Sequence, residues 1–291
     1  LHFIKLRKIW YLISLVIIIP GLISLFTNGL NLGIDFTGGN ILEVRFERPV
    51  AIEKVRQVMA SLGIETSRSI QKSGQEGKKV TYLIRTKALS QEESTRLQKA
   101  LGKLSQMTVL RNEYVGPIIG RELTRNALLA LIGAAILMII YITIRFEFKQ
   151  GIAAVIALLH DVLVVTGIFS LFQIEIDSTF IAAILTIVGY SINDTIVIFD
   201  RIRENLKVRK KGEELADTIN FSLWQTLTRS INTILTIIFV LVALYLLGGS
   251  TLRVFVLTLL IGIVCGAYSS ICNASPVWFD LKRLEKKEKL V

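Results

Sequence analysis

A chain of 291 residues with 52% hydrophobic content and positive mean hydropathy is too apolar for an ordinary soluble domain. Its net charge of +11 does not mark a nucleic-acid binder, because Lys and Arg are missing from several long apolar runs and gather at their ends, as in membrane proteins. Cys265 and Cys272 both lie in one apolar run without metal-ligand or CxxC spacing, so neither a metal nor another cofactor is expected.

A short basic stretch, residues 1–8, precedes the first apolar run at 9–26. That run is too long for a removable signal peptide and lacks its small-residue cleavage site. Residues 27–125 then read as a folded α+β domain. Residues 41–46 alternate as a strand and end at Pro49, and apolar residues recur at helical spacing over 52–62 (Ile52, Val55, Val58, Met59, Leu62) before stopping at Gly63. A second strand is expected near 66–72, followed by a turn at 73–77 rich in Gly and charge, and a third strand at 80–85. Ser90 with Glu93 three residues on is a capping box opening a helix to about residue 104, and 107–115 closes as a strand. The order β-α-β-β-α-β suggests a ferredoxin-like split sandwich.

Further apolar runs at 126–144, 152–172, 179–199, 231–247 and 252–275 each reach roughly the twenty residues that a bilayer crossing needs. The expected fold is a membrane all-α bundle of six transmembrane helices with the α+β domain inserted after the first. Only 173–178 separates spans three and four, and only 248–251 separates spans five and six, which forces antiparallel neighbours. Lys5, Arg7 and Lys8 precede span one, and Arg145 and Lys149 join spans two and three. Arg201, Arg203, Lys207, Arg209, Lys210 and Lys211 follow span four, and the basic tail 276–291 follows span six. Six crossings put all four clusters on one side, whereas loop 173–178 carries Glu175 and Asp177 and no Lys or Arg. Both termini are therefore expected in the cytoplasm, and domain 27–125 outside it. Within the cytoplasmic segment 200–230, residues 213–227 read as an amphipathic helix on the membrane face, with Trp224 at the interface.

Enzymatic chemistry finds no support. There is no GxxxxGK[ST], Gly74–Lys79 has the wrong spacing, there is no HExxH, and the segment around Ser191 lacks the second Gly of a nucleophile elbow. Energy for work must come from a partner or an ion gradient. The informative residues are the ionisable ones inside the spans, each of which costs several kcal/mol unless paired or hydrated, so roughly 3 kcal/mol on insertion scales. Asp161, beside His160, lies in span three. Asp194 lies in span four, with Tyr190 and Ser191 a turn before it. Span five opens with a polar stripe of Thr226, Arg229, Asn232, Thr233 and Thr236. Desolvation favours the neutral form of a carboxylate and a nearby guanidinium favours the charged one, so an Asp194–Arg229 pair across the bundle would titrate near neutral pH. Buried Asp, Asn and Thr also hold helices together by hydrogen bonds, and that reading stands beside the proton relay for Asp194 and for the possible second site at His160 and Asp161. Arg229 reads equally as a snorkelling residue. Gly167, Gly189, Gly262 and Gly266 read as close-packing positions.

Four segments resemble the SecF family, the smaller partner of SecD in bacterial Sec protein export. They are Gly33–Ile34–Asp35–Phe36–Thr37–Gly38–Gly39, the run VGYSINDTIVIFDRIREN at 188–205, QTLTRSINT at 225–233, and 262–276 ending in SSICNASP. The resemblance implies a half-unit of the resistance-nodulation-division type in the bacterial cytoplasmic (inner) membrane, paired with SecD to make twelve spans. It further implies partnership with the Sec translocon channel, preprotein as substrate, and protons as the coupling ion. Carried over residue by residue, it makes Asp194 the proton-linked acid and Arg229 its cationic partner, with Ser191, Asn193, Thr195, Asn232 and Thr233 in support. By turn chemistry, the Gly33, Asp35, Phe36, Gly38 and Gly39 motif reads as structural. The rival readings are a half-transporter for lipids or drugs, for which loop 173–178 leaves no second extracytoplasmic insert, and a passive translocon scaffold.

Overall fold

The computed structural model describes residues 2–64, 70–77, 79–249 and 252–288. Contacts divide it into two compact units, Leu1–Asn31 with Leu128–Val291, and Leu32–Ala127. The chain opens with α1 (Arg7–Thr27), an apolar helix long enough to cross a membrane.

The unit Leu32–Ala127 begins with one helical turn, α2 (Ile34–Thr37), which runs through Gly38 and Gly39 into β1 (Gly39–Phe46). After it come α3 (Ile52–Ser61), β2 (Ile70–Glu76), β3 (Lys79–Thr86), α4 (Gln91–Gly102) and β4 (Met107–Val115). The strands form one sheet in the order β2-β3-β1-β4, with every neighbouring pair antiparallel. Alternation along a strand sends Leu42, Val44 and Phe46 of β1 and Val80, Tyr82 and Ile84 of β3 to one face. There they meet Val55 and Met59 of α3 and Leu97 and Leu101 of α4 in a closed apolar core. Both helices are therefore amphipathic out of necessity, each supplying one stripe to the same face of the sheet. The Ser90 cap is complete: its Oγ accepts from Glu93 N, and the Glu93 carboxylate accepts from Ser90 N at 2.7 Å.

One local expectation fails here. Ser73 to Glu76 belong to β2 rather than to a turn, because a register shift between Lys72 and Gly74 absorbs the mismatch and keeps the strand paired to β3. The reversal is confined to the segment around Gly77, whose φ of +58° suits glycine. The start of the strand expected at 66–72 falls on residues 65–69, outside the described residues, as do residues 250–251 of the last hinge.

The helical unit continues with α5 (Pro117–Arg145), α6 (Phe148–Leu171), α7 (Ser178–Lys207), α8 (Leu215–Leu247) and α9 (Arg253–Ser269). A π-helical turn, Ser270–Ala274, joins α9 to α10 (Ser275–Glu288) without a break. Among the described residues, six helical stretches are long and apolar enough to cross a membrane, the last running through α9 and α10. The amphipathic segment 213–227 is not a separate surface helix. It is the first half of the 33-residue α8, since nothing between Leu215 and Leu247 stops the helix and neither Gly nor Pro occurs in it.

Small residues set the helix spacing, as expected where no hydrophobic effect pulls helices together. Gly21 of α1 meets Gly167 of α6 so closely that a Cβ on Gly21 would fall 2.8 Å from the Gly167 Cα. One turn on, the Ser24 and Ser170 hydroxyls bond at 2.9 Å. Gly262 and Gly266 of α9 face Ile187 and Ser191 of α7, whereas a Cβ on Gly189 would meet open space. At the end where both termini lie, Phe3, Ile4, Phe199, Leu223 and Trp278 bury into one cluster, and Arg7 pairs with Asp280 at 2.9 Å.

Candidate functional site

Helix α7 is set in place by Asp177, whose carboxylate caps it by accepting from Thr179 N and Phe180 N. Its buried face then carries Ile184, Ile187, Ser191 and Thr195, spaced three and four apart, against α6 and α9. Two polar arrangements grow from this helix.

The first centres on Asp161 of α6, which is 0% exposed. Its Oδ1 lies 3.0 Å from His160 Nδ1, and its Oδ2 accepts from Ser191 Oγ at 2.7 Å and Ser269 Oγ at 2.8 Å. One carboxylate thus ties α6, α7 and α9 together. Next to it, Thr195 Oγ1 lies 2.8 Å from Ser270 Oγ, and Ser270 also donates to the Ser191 carbonyl, at the first residue of the π-helical turn. Such turns insert one extra residue per turn and are frequent at functional positions. The His160 ring lies 5.8 Å from the ring of Tyr268, whose hydroxyl donates to the Trp10 carbonyl. Asn273, inside the same turn, donates to Ser14 of α1 at 3.0 Å.

The second arrangement centres on Asp194, half-buried on the flank of α7. Its Oδ1 accepts from Ser230 Oγ of α8 at 2.6 Å, while its buried Oδ2 has no hydrogen-bond partner among the described residues. The charge of Arg229 acts on Asp194 without a close ion pair among the described residues, the Arg229 side chain being exposed, and the hydrogen bond to the carboxylate comes from Ser230, its neighbour in sequence. Asn232 and Thr233 are exposed too, as is Asn193 on α7. Of the polar stripe of α8, Thr226 is buried, whereas Arg229, Asn232, Thr233 and Thr236 are exposed. Ser191 and Thr195 go to the Asp161 cluster rather than to Asp194.

The Gly33 to Gly39 motif lies in the other unit and builds a turn. Gly33 precedes α2, Gly38 (φ +73°) ends it, and at Gly39 (φ +142°) a Cβ would fall 2.5 Å from the Thr86 carbonyl. Gly120 of α5 packs on the backbone of Phe36 with similar closeness. Asp35 stands in the first turn of α2.

Ser230, Ser269 and Ser270 are members of these two polar arrangements that sequence reasoning passed over. Ser269 and Ser270 stand out as adjacent serines in an apolar helix and Ser230 follows Arg229 in the polar stripe, but a serine's partner depends on how neighbouring helices are rotated, which spacing along one helix does not encode.

Comparison with known proteins bears on this arrangement directly. The profile of the family described as protein export membrane protein SecD/SecF, C-terminal, matches residues 95–284, and that of the SecD/SecF GG motif matches 23–50. The protein translocase subunit SecF of Sebaldella termitidis is 45% identical over 99% of this chain and 94% of its own length. The chain belongs to the SecF family of protein translocase subunits. A SecF of Thermobaculum terrenum is 43% identical over 94% of this chain and 91% of its own length. The SecDF of Bacillus subtilis is 41% identical over 98% of this chain, which spans 39% of that longer protein. Among solved structures, SecDF from Thermus thermophilus, described as a translocon-associated membrane protein, superposes with a TM-score of 0.89 at 37% identity. The match covers 97% of this chain and 39% of that one. Relatives that carry both parts in a single chain indicate a SecD-type partner for a separate SecF.

Proposed function

We propose that this SecF-type subunit assists outward movement of preprotein at the Sec translocon, driven by protons that bind at Asp194. In this reading it sits in the bacterial cytoplasmic membrane with both termini in the cytoplasm. The unit Leu32–Ala127 stands on the outer side as a ferredoxin-like sandwich, a description its element order and strand order support. A SecD-type subunit completes a twelve-span complex.

The observation that carries the proposal is a half-satisfied acid beside an exposed polar helix face. Asp194 Oδ1 holds Ser230 while its buried Oδ2 has no hydrogen-bond partner among the described residues, and the exposed side of α8 presents Arg229, Asn232 and Thr233. Polar groups of this kind are expensive against lipid and in structures face a bundle interior or a water-filled cavity. A second set of helices against α8 supplies that interior. It would enclose Arg229 and Asp194 in one low-dielectric space, where protonation of Asp194 changes which hydroxyl or guanidinium it holds. Ser230 is the partner available to either form, as donor to the carboxylate or acceptor from the acid.

The test is preprotein translocation into membrane vesicles with an imposed proton-motive force, the SecD-type partner being co-expressed and assembly checked by co-purification. Asp194→Asn is expected to assemble and to lose the proton-dependent stimulation. Undiminished stimulation in an assembled Asp194→Asn complex would make Asp194 a packing residue and remove the proton role from this subunit.

A further inference from the structure

His160 and Asp161 stand at the middle of α6 and are used by nothing in the proposal above. Asp161 Oδ2 accepts from two hydroxyls, and when the carboxyl is ionised Oδ1 accepts from His160 Nδ1. In that form neutral His160 carries its hydrogen on Nδ1 and a lone pair on Nε2. His160 is 8% exposed, and its Nε2 has no hydrogen-bond partner among the described residues. With a neutral histidine the pair bears one negative charge in the interior of the bundle. Among the described residues no cationic side chain other than His160 lies within ion-pair distance of Asp161.

The neighbouring elements add no compensating charge. From α9 come Tyr268, whose ring lies tilted at 34° beside that of His160, and Cys265, which lies within the electrostatic reach of Asp161. The π-helical turn brings Cys272, which interacts with Tyr268. Helix α7 presents the Ser191 hydroxyl, and its acid, Asp194, is bonded to Ser230 instead. Helix α1 presents Ser14, bonded to Tyr268 and Asn273, while its Tyr11 is held by Asp280. Helix α10 meets α6 through the Lys282–Glu147 pair, at the start of α6 and well away from Asp161.

We propose that His160 and Asp161 form a proton-binding site of their own, in which one proton taken up at His160 Nε2 turns a singly negative buried pair into a neutral imidazolium–carboxylate pair. The balance is simple. One proton enters, no other bond breaks, and the carboxylate keeps its three hydrogen bonds, so α6, α7 and α9 stay tied in the loaded state. Release of that proton leaves an uncompensated carboxylate at the point where three helices and the π-helical turn converge. The site is separate from Asp194 and does not depend on the role given to that residue.

The chain contains two histidines, which makes the test direct. His2 pairs with Asp217 at an exposed position, and His2→Gln leaves His160 as the single histidine. The full chain, assembled with its SecD-type partner in lipid bilayers and grown on nitrogen-isotope-labelled histidine, is followed by solid-state NMR between about pH 8 and 5. Nε2 is expected to gain a hydrogen over this range in the parent. The uptake is expected to be lost in Asp161→Asn, where the imidazolium has no counter-charge, and retained in Asp194→Asn. A His160 that keeps one protonation state throughout overturns the proposal without any further variant. So does an uptake unchanged in Asp161→Asn, or one abolished in Asp194→Asn. Failure here leaves the vesicle result for Asp194→Asn standing, and persistent stimulation in that assay leaves a titrating His160 standing.

Discussion

Replacing Gly21 by alanine tests whether backbone contact sets the spacing of α1 and α6. The added Cβ would lie 2.8 Å from the Gly167 Cα and 3.2 Å from its carbonyl carbon, against about 3.5–4.0 Å for comfortable carbon contacts. Both atoms it meets are backbone, so no rotamer change gives relief, and the helices must separate by roughly 1 Å. Overpacking of this kind costs about 1–3 kcal/mol. Separation by that amount also stretches the 2.9 Å Ser24–Ser170 bond beyond useful length, losing about 0.6 kcal/mol more. Against this, alanine is the better helix former by about 1 kcal/mol. The sum is a net destabilisation of about 0.6–2.6 kcal/mol, a roughly 3- to 80-fold fall in the folding equilibrium constant. Gly189→Ala provides the control, because its Cβ meets nothing within 4 Å and only the propensity gain remains. Reversible unfolding of the full chain in bicelles, followed by steric trapping, measures both. The reasoning is refuted if the two variants change stability in the same direction.

Gly39→Ala should unfold the Leu32–Ala127 unit preferentially, since it combines a positive φ with a 2.5 Å approach to the Thr86 carbonyl. Limited proteolysis should show loss of protection confined to this unit, and strain alone predicts about 1–3 kcal/mol. The Ser90 cap predicts a pH dependence. The backbone and hydroxyl of Ser90 hold the Glu93 carboxyl below its usual range, so its contribution is complete above the unfolded carboxylate value of about 4.3. That contribution fades as pH falls through the lower folded value. Glu93→Gln should therefore flatten the acid limb of the stability curve while leaving neutral pH behaviour dominated by the remaining Ser90 cap. An unchanged acid limb would mean that Glu93 contributes nothing through its charge. Trp278, 1% exposed and with no hydrogen-bond partner for its Nε1 among the described residues, should tolerate Trp278→Phe within about 1 kcal/mol, because the lost volume is offset by removal of that donor. Trp278→Ala should cost about 3–5 kcal/mol in the same unfolding assay.

Much of the α+β domain was legible because its signals are local. The alternation over 41–46 needs no partner to be seen, and the Ser90–Glu93 box carries its own geometry. Ser73 to Glu76 misled because Gly and charge favour turns, while membership of β2 is decided by pairing with β3 across a bulge. Helix α8 misled in another way. The change from an amphipathic to an apolar pattern near residue 228 reports a change of surroundings, and surroundings can change along one unbroken helix. At the candidate site, the acids and their helices were readable from charge in apolar runs. The hydrogen-bond partner of Asp194 was not, since Ser230 is adjacent to Arg229 and the packing of α7 on α8 decides which of them reaches the carboxylate at hydrogen-bond distance and which acts on it through charge alone.

The continuity of α8 has a mechanical consequence. Its 33 residues, at about 1.5 Å each, span roughly 50 Å, while the hydrocarbon layer is about 30 Å thick. A segment of roughly 20 Å therefore projects past the layer as an extension of the same rod. Ser230, the contact to Asp194, lies near the midpoint, about 22 Å from Leu215 along the axis. If the rod pivots there by about ten degrees, its tip sweeps roughly 4 Å. The projecting half is also bonded to α7, where Arg201 and Asn205 reach Ser222 and Gln225, so a tilt of α8 at Ser230 would carry the end of α7 with it, at the surface where Asp217 and Asn220 of α8 meet His2 and Phe3.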